Sequence, residues 1–209
     1  KYSILMDINK LRVSITFLTE EELTSRHDEI NDTIKKLTEH IKDNPIAVGM
    51  AAPQLGISLP IFVIKYKDEI INCINPKLEI TSDAMITSEE GCLSFPGYIA
   101  SIIRAKNILA TFFKVNKDGI IKKDMKTLNN EYACIYQHEL DHLLGVTIFD
   151  YAQNIKPSDK YLNLYSYKVE NDFILQGETK TLFKKLDYDG DYKLPIVAHY
   201  RKPNESTSN

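Results

Sequence analysis

The sequence predicts an α+β fold in which antiparallel strands are followed by a helix that packs on the sheet. Six short apolar segments between residues 61 and 127 have the composition of strands, and a helical pattern follows them. The strands come first and the helix after them, without the regular alternation of strands and helices that is typical of a protein with a parallel sheet. The chain has 209 residues, enough for one substantial core, so we expect one domain with additions.

The N-terminal part is predicted to contain an extended arm and an amphipathic helix. Residues 1–18 contain several β-branched residues and no helical period, which favours a strand or an arm. Thr19 and Glu22 have the spacing of a capping box, and apolar residues then recur at helical spacing from Leu23 to Ile41. This helix of about 20 residues is expected to end before Pro45, because proline lacks the amide donor.

The central region is predicted to be a series of strands that ends in a second helix. The strand segments are 61–66, 70–74, 77–87, 99–105, 108–115 and 120–127. Asn75-Pro76 is expected to separate two of them, and residues 116–119 to form a hairpin turn. The second helix is predicted from residue 129 or 130 to Leu144, with Gly145 as its C-terminal stop.

Composition excludes several classes of protein. The 26 Lys+Arg and 29 Asp+Glu give a net charge of −3, which offers no electrostatic case for nucleic-acid binding. The most apolar stretch, 57–66, is far shorter than the roughly 20 residues of a membrane-spanning helix. Three cysteines at unrelated spacings argue against a disulfide framework and for a reducing compartment. Lys1 in place of Met suggests a trimmed start, and no secretory signal is recognisable.

The strongest chemical signal is His138-Glu139-Leu140-Asp141-His142 in the second helix. Residues four apart on a helix point in the same direction, so His138 and His142 can present imidazole nitrogens to one metal ion. Glu139 then lies beside that ion as a general base. We therefore predict a metal site rather than two surface histidines.

The residues alone leave the third protein ligand of a tetrahedral catalytic site open. Cys92 follows glycine at the end of a strand run, and its sulfur can reach a neighbouring helix. The downstream candidates are Glu170, Glu178 and His199, which would give a site like that of a zinc endopeptidase.

Three segments resemble, in order and approximate spacing, the three motifs of the peptide deformylase family. They are 49–54 (GMAAPQ), 90–94 (EGCLS) and 137–143 (QHELDHL). The resemblance extends over residues 1–151, and Ala47 stands where the family's first motif opens with glycine. The implied fold has antiparallel sheets packed around a central metal-binding helix, with an N-terminal amphipathic helix.

The resemblance also implies a catalytic centre. The implied metal ligands are Cys92, His138 and His142, and the implied metal is one divalent ion, Fe²⁺ in the cell and Zn²⁺, Ni²⁺ or Co²⁺ in a purified sample. Glu139 would take the proton of the attacking water and deliver it to the departing amine. The Gln54 side chain and the Leu93 backbone N–H are the implied donors to the tetrahedral oxyanion.

Candidate substrate-binding residues flank this centre. The helix face that carries His138 also carries Glu131, Cys134 and Ile135, so we expect an apolar pocket beside the metal. Val48 and Gly49 are candidates for holding a peptide in strand-like pairing. The complete predicted set is Val48, Gly49, Glu90, Gly91, Cys134 and Ile135.

The resemblance implies a peptide deformylase, a metallohydrolase that releases formate from nascent polypeptides beginning with N-formylmethionine. The ribosome is a candidate partner, we expect a monomer, and the expected location is the cytoplasm, or an organelle if a leader was removed. Residues 1–151 are predicted to be the catalytic domain and 152–209 an extension of unknown role packed on it, with a disordered tail from about residue 203. The rival hypotheses are a zinc endopeptidase and a binding protein that keeps the metal for stability.

Overall fold

The computed structural model describes residues 4, 5, 7–95 and 98–148, together with the backbone of four strands between residues 155 and 182. The helices are α1 Ile8–Leu11, α2 Glu20–Ser25, α3 His27–Lys42 and α4 Asn130–Leu143, with a 3₁₀ helix at Ala52–Leu55. The strands before α4 are β1 Gly49–Ala51, β2 Ile61–Tyr66, β3 Glu69–Ile80, β4 Met85–Glu90, β5 Tyr98–Ala105, β6 Asn107–Val115 and β7 Ile121–Asn129. The strands after it are β8 Ile155–Pro157, β9 Tyr167–Glu170, β10 Phe173–Gln176 and β11 Thr179–Leu182.

The described strands form three antiparallel sheets. The largest has the strand order β1-β2-β3-β6-β7, so the short strand β1 lies at its edge. A second sheet has the order β4-β5-β8, and β9, β10 and β11 form the third. This arrangement confirms the predicted α+β class.

Helix α4 is central because it contacts strands of both the five-stranded sheet and the β4-β5-β8 sheet. Tyr136 is fully buried on it, and its ring packs edge to face against Phe62 with centroids 5.0 Å apart. The Tyr136 hydroxyl donates to the Lys77 carbonyl at 2.8 Å, which satisfies a polar atom in the core. These contacts hold α4 at a fixed rotation, and that rotation determines where its two histidines point.

The N-terminal amphipathic segment forms two helices rather than the single helix that the apolar spacing predicts. The capping box is confirmed, since the Thr19 and Glu22 side chains each accept from the other's backbone N–H at 3.1 Å. Arg26 then leaves helical dihedral angles, at φ −105° and ψ 21°, and separates α2 from α3. The Arg26 guanidinium donates hydrogen bonds to Glu29 on α3 and contacts Glu22 on α2. These ion pairs cross the break between the two helices, which the spacing of the apolar residues does not predict.

Two strand boundaries also differ from prediction. Asn75-Pro76 does not end a strand but forms an irregularity within β3, with Asn75 at φ 50°. The Asn75 side chain accepts from the Leu18 N–H at 2.9 Å and donates to the Leu18 carbonyl at 2.8 Å. The segment predicted as one strand over 77–87 is interrupted between β3 and β4. The N-terminal arm contains one helical turn, α1, before its extended part.

The predicted C-terminal extension is described only in part. Strand β8 pairs with β5, so the chain beyond α4 returns to the sheet beside the helix. The predicted disordered tail from about residue 203 lies outside the described residues. Within the described part of the chain, no helix is long and apolar enough to cross a membrane.

Candidate metal centre

Cys92, His138 and His142 converge on one point. One donor atom from each of these side chains lies within 4.8 Å of the other two. Cys92 Sγ is 3.4 Å from His142 Nε2, and the two imidazole rings have centroids 5.1 Å apart. The histidines are one helical turn apart on α4, and Cys92 lies two residues after the end of β4, so the helix and the sheet edge each supply part of the cluster.

The donor set fits a divalent transition metal. One thiolate with two imidazoles is a ligand combination that suits zinc and iron, and three protein ligands leave a coordination position open. Burial and the neighbouring His138 lower the pKa of His142 well below its ordinary value, so its imidazole is neutral, the form that binds a metal. The downstream candidates from the sequence, Glu178 and His199, lie outside the described residues, as does the side chain of Glu170.

His138 is oriented by a buried carboxylate. Its Nδ1 lies 2.8 Å from Glu90 Oε1, so Nδ1 carries the proton of this hydrogen bond and Nε2 is left to face a metal. Burial alone would raise the pKa of Glu90, but the Arg104 guanidinium lowers it to about 2 by Coulomb attraction and hydrogen bonding. Glu90 is therefore a carboxylate in the folded protein and a fixed acceptor for His138.

Arg104 connects this carboxylate to the second half of the helix motif. It is about 1% exposed, and its Nε and Nη2 donate to Glu90 at 2.7 and 2.6 Å. Its Nη1 donates to Asp141 Oδ2 at 2.7 Å. Asp141 directly precedes His142, so one guanidinium braces the neighbourhoods of both histidines.

Glu139 lies beside the cluster with one oxygen unpartnered. Its Oε1 is buried and has no hydrogen-bond partner among the described residues, while Oε2 is 4.0 Å from His138 Nε2. Burial raises the pKa of this carboxyl to about 7. A Cβ on Gly49 would lie 2.8 Å from Glu139 Oε2, so the absence of a side chain at Gly49 makes room for the carboxylate. Gly49 was predicted as a substrate-binding residue, and the structure adds this packing role.

Gln54 is held by hydrogen bonds at both ends of its amide. Its Oε1 accepts from the Ala51 N–H at 2.9 Å, and its Nε2 donates to Ser94 Oγ at 3.1 Å. Nε2 is also 3.7 Å from Cys92 Sγ, which places an amide donor beside the cluster. Leu93 follows Cys92 directly and is only partly buried.

A cavity of about 270 Å³ opens beside this cluster and is lined by Cys92 and His138. The six residues predicted to bind substrate all line it: Val48, Gly49, Glu90, Gly91, Cys134 and Ile135. Glu139 and Leu93 line it as well. The candidate residues from the sequence therefore surround one opening. Gln54 does not line this cavity but lies next to it, beside Cys92.

Comparison with known proteins then decides the family. A family model described as polypeptide deformylase matches residues 8–158 of the chain. The chain belongs to this family. The peptide deformylase of Endomicrobium trichonymphae is 38% identical over 134 residues, which cover 61% of this chain and 77% of that protein. The peptide deformylase of Borreliella burgdorferi is 34% identical over 148 residues, covering 69% and 86% respectively.

Solved deformylase structures also resemble the fold. The crystal structure of peptide deformylase from Thermotoga maritima aligns with a TM-score of 0.61 at 32% identity, covering 71% of this chain and 95% of that one. The peptide deformylase from Synechococcus elongatus in complex with actinonin aligns with a TM-score of 0.61 at 29% identity, covering 74% and 79%. The predictions of a deformylase-like fold and of a peptide deformylase, a metallohydrolase, are confirmed.

Sequence reasoning assigned no role to three side chains that support the deformylase site, Arg104, Asp141 and Ser94. Arg104 is the clearest, because a single arginine within an otherwise apolar strand indicates a buried charge with acidic partners. Its partners Glu90 and Asp141 are 14 and 37 residues away, so their identity could not be read locally. Ser94, which fixes the Gln54 amide, gave no signal beyond its place in the second motif.

Proposed function

We propose that this chain removes the formyl group from nascent polypeptides that begin with N-formylmethionine, with Cys92, His138 and His142 as its metal ligands. The observation that carries the proposal is the convergence of these three donors beside the buried, unpartnered oxygen of Glu139. A divalent ion bound there would lower the pKa of a coordinated water from about 15.7 towards 7, which supplies a nucleophile at neutral pH.

Glu139 is the proposed proton carrier. Burial raises the pKa of its carboxyl to about 7, although the neighbouring His138 acts in the opposite direction, and this pKa favours proton uptake near neutral pH. The carboxyl takes the proton of the attacking water and returns it to the amine that leaves. Because Oε1 has no partner among the described residues, it is free to carry out both transfers without breaking a hydrogen bond within the protein.

Gln54 and Leu93 are the proposed donors to the oxyanion that forms when the formyl carbon is attacked. Gln54 Nε2 uses one N–H for Ser94 and lies beside Cys92, and the Ala51 bond fixes which way the amide faces. Leu93 would contribute its backbone N–H. Donors aimed before the reaction need no reorganisation, and losing one such donor typically costs about 10² to 10³ in rate.

The edge strand β1 and the cavity are proposed to hold the peptide. Strand β1 pairs with β2 on one side only among the described strands, so its other edge is open to an extended chain near Val48 and Gly49. The methionine side chain would enter the cavity beside Cys134 and Ile135, which Glu90 and Gly91 also line. Main-chain pairing gives affinity that does not depend on the later side chains.

We further propose Fe²⁺ as the metal in the cell, with Zn²⁺, Ni²⁺ or Co²⁺ able to replace it, since thiolate and imidazole ligands suit all of these ions. The expected partner is the ribosome from which formylated chains emerge, in the cytoplasm or in an organelle, and the expected state is a monomer. Residues 1–151 are proposed as the catalytic domain. The pairing of β8 with β5 supports the proposal that the extension, 152–209, packs on it.

Formate release from formyl-Met-Ala-Ser by the iron-loaded protein under anaerobic conditions tests the function. We expect formate and an intact peptide with a free N-terminus by mass spectrometry, whereas cleavage of an internal peptide bond would favour an endopeptidase. Cys92→Ala should lose both bound metal and activity. Cys73→Ala is the matched control, because Cys73 is a free thiol in the core away from the cluster. Full activity in Cys92→Ala would contradict the assigned ligand set.

A further inference from the structure

The N-terminal arm bonds two elements of the metal centre through its backbone. In the described part of the arm, residues 4, 5 and 7–18, the Leu5 N–H donates to the Gln54 carbonyl at 2.6 Å. The Ile15 N–H donates to the Leu143 carbonyl at 2.7 Å. Leu143 directly follows His142 and is the last residue of α4. One short segment therefore bonds both the residue that carries the proposed oxyanion donor and the residue next to a proposed metal ligand.

Both bonds reach carbonyls at the ends of helices. The 3₁₀ helix Ala52–Leu55 has four residues, and the Gly56 N–H that closes it bonds the Ala52 and Pro53 carbonyls. The Gln54 carbonyl instead takes its donor from Leu5 of the arm. The last carbonyls of an α-helix likewise have no partner within the helix, and Ile15 supplies one for α4.

The arm is held in place between these two bonds. Leu11 is fully buried in the core cluster against which Leu5 also packs. Beyond α4, a Cβ on Gly145 would lie 2.8 Å from the Arg12 carbonyl carbon and 2.9 Å from the Val13 nitrogen, so the two backbones are in close contact. The arm is therefore fixed relative to α4, and the Leu5 bond extends this fixed position to the loop that carries Gln54.

The known bonds of the Gln54 side chain do not replace this contact. They fix the amide against the Ala51 N–H and Ser94 Oγ, whereas Leu5 holds the main chain of Gln54 itself. A single turn of 3₁₀ helix has poor hydrogen-bond geometry and gives that main chain little support of its own. A displacement of about 1 Å at such a position can cost about 10² in rate.

We propose that Leu5 is a positioning residue whose backbone N–H holds the main chain of Gln54, so that the Gln54 amide meets the oxyanion as it forms. This role rests on the proposed deformylase function and deepens the part assigned there to Gln54. The oxyanion exists only after attack on the formyl carbon. Loss of the Leu5 bond should therefore lower kcat and leave KM and bound metal nearly unchanged.

Leu5→Pro and Leu5→Ala are a matched pair, because both lose the leucine side chain but only proline lacks the N–H donor. With the iron-loaded proteins and formyl-Met-Ala-Ser, we expect kcat of Leu5→Pro to be about tenfold below that of Leu5→Ala, with KM within about twofold and equal bound iron. Circular dichroism checks that both variants fold. Deletion of residues 1–5 removes the same donor and replaces Leu5→Pro if that variant does not fold.

A second background separates positioning from general support of the fold. When Gln54→Ala is present in both proteins, Leu5→Pro and Leu5→Ala should have the same kcat, because the amide that the bond positions is gone. A general structural role would lower kcat by the same factor in both backgrounds. Equal kcat of the pair with Gln54 present, or the same loss in the Gln54→Ala background, would overturn this inference while leaving the deformylase function intact. Absence of formate with the wild-type protein would overturn the proposed function and this inference with it.

Discussion

Replacing Arg104 by methionine tests whether the buried charge network supports both the fold and the metal site. The substitution keeps a long side chain but removes three charge-assisted hydrogen bonds of 2.6 to 2.7 Å. It leaves Glu90 and Asp141 buried without their cation, and breaking a buried ion pair in this way costs about 3 to 5 kcal/mol. We expect the free energy of unfolding to fall by that amount in urea denaturation of the metal-free protein.

The same variant should also weaken metal binding. Glu90 orients His138 through the 2.8 Å contact to Nδ1, and Arg104 is what holds Glu90 in place. Loss of such an outer contact typically costs about 10- to 100-fold in metal affinity, which competition with a chromophoric chelator would measure. Lys106→Met is the matched control, because it removes an exposed positive charge two residues away. An Arg104→Met protein with wild-type unfolding and wild-type metal affinity would refute the reasoning.

Four further predictions concern catalysis, backbone strain and acid stability. Glu139→Gln should retain its bound metal, measured by atomic absorption, while its kcat falls by a factor of about 10² or more. Gly49→Ala should lower kcat at least tenfold, because the added Cβ displaces the Glu139 carboxylate. Gly145→Ala should destabilise the fold by about 1 to 3 kcal/mol more than Gly119→Ala in thermal unfolding, since both glycines have positive φ but only the Gly145 Cβ would meet backbone, at 2.8 Å. Because the folded pKa of Glu90 is lowered to about 2, Glu90 stabilises the metal-free protein above pH 4.5, and this contribution of about 3 kcal/mol disappears as pH falls from 4.5 towards 2. Equal acid dependence of unfolding in wild type and Glu90→Gln would contradict the last prediction.

Local patterns were sufficient to predict the catalytic helix. His138 and His142 are four residues apart, and Gly145, at φ 75°, follows the end of α4 as predicted. Two histidines on one helix face depend only on adjacent turns, so periodicity reveals this pair. The proposed role of Cys92 as the third ligand could not be obtained in this way, because the residues alone left a downstream ligand open. The resemblance of three motifs in order supplied it.

Features that depend on distant partners were not predictable. The single-helix prediction for residues 19–42 was wrong at Arg26, whose ion pairs span the break between α2 and α3. The prediction that Asn75-Pro76 ends a strand was wrong because the Asn75 side chain pairs with the backbone of Leu18, 57 residues away. Arg104 has the same property, since its partners come from β4 and α4. The hydrogen bonds of Asn75 and Arg104 are long-range, whereas the Arg26 ion pairs join residues only three and four positions apart.

X-ray absorption at the zinc edge of the zinc-loaded protein tests the proposed metal centre most directly. One sulfur at about 2.3 Å and two imidazole nitrogens at about 2.0 to 2.1 Å are expected in the wild type. The sulfur contribution should be absent in Cys92→Ala and retained in Cys73→Ala. A wild-type spectrum with only nitrogen and oxygen neighbours would contradict the assignment of Cys92, His138 and His142 as the ligands.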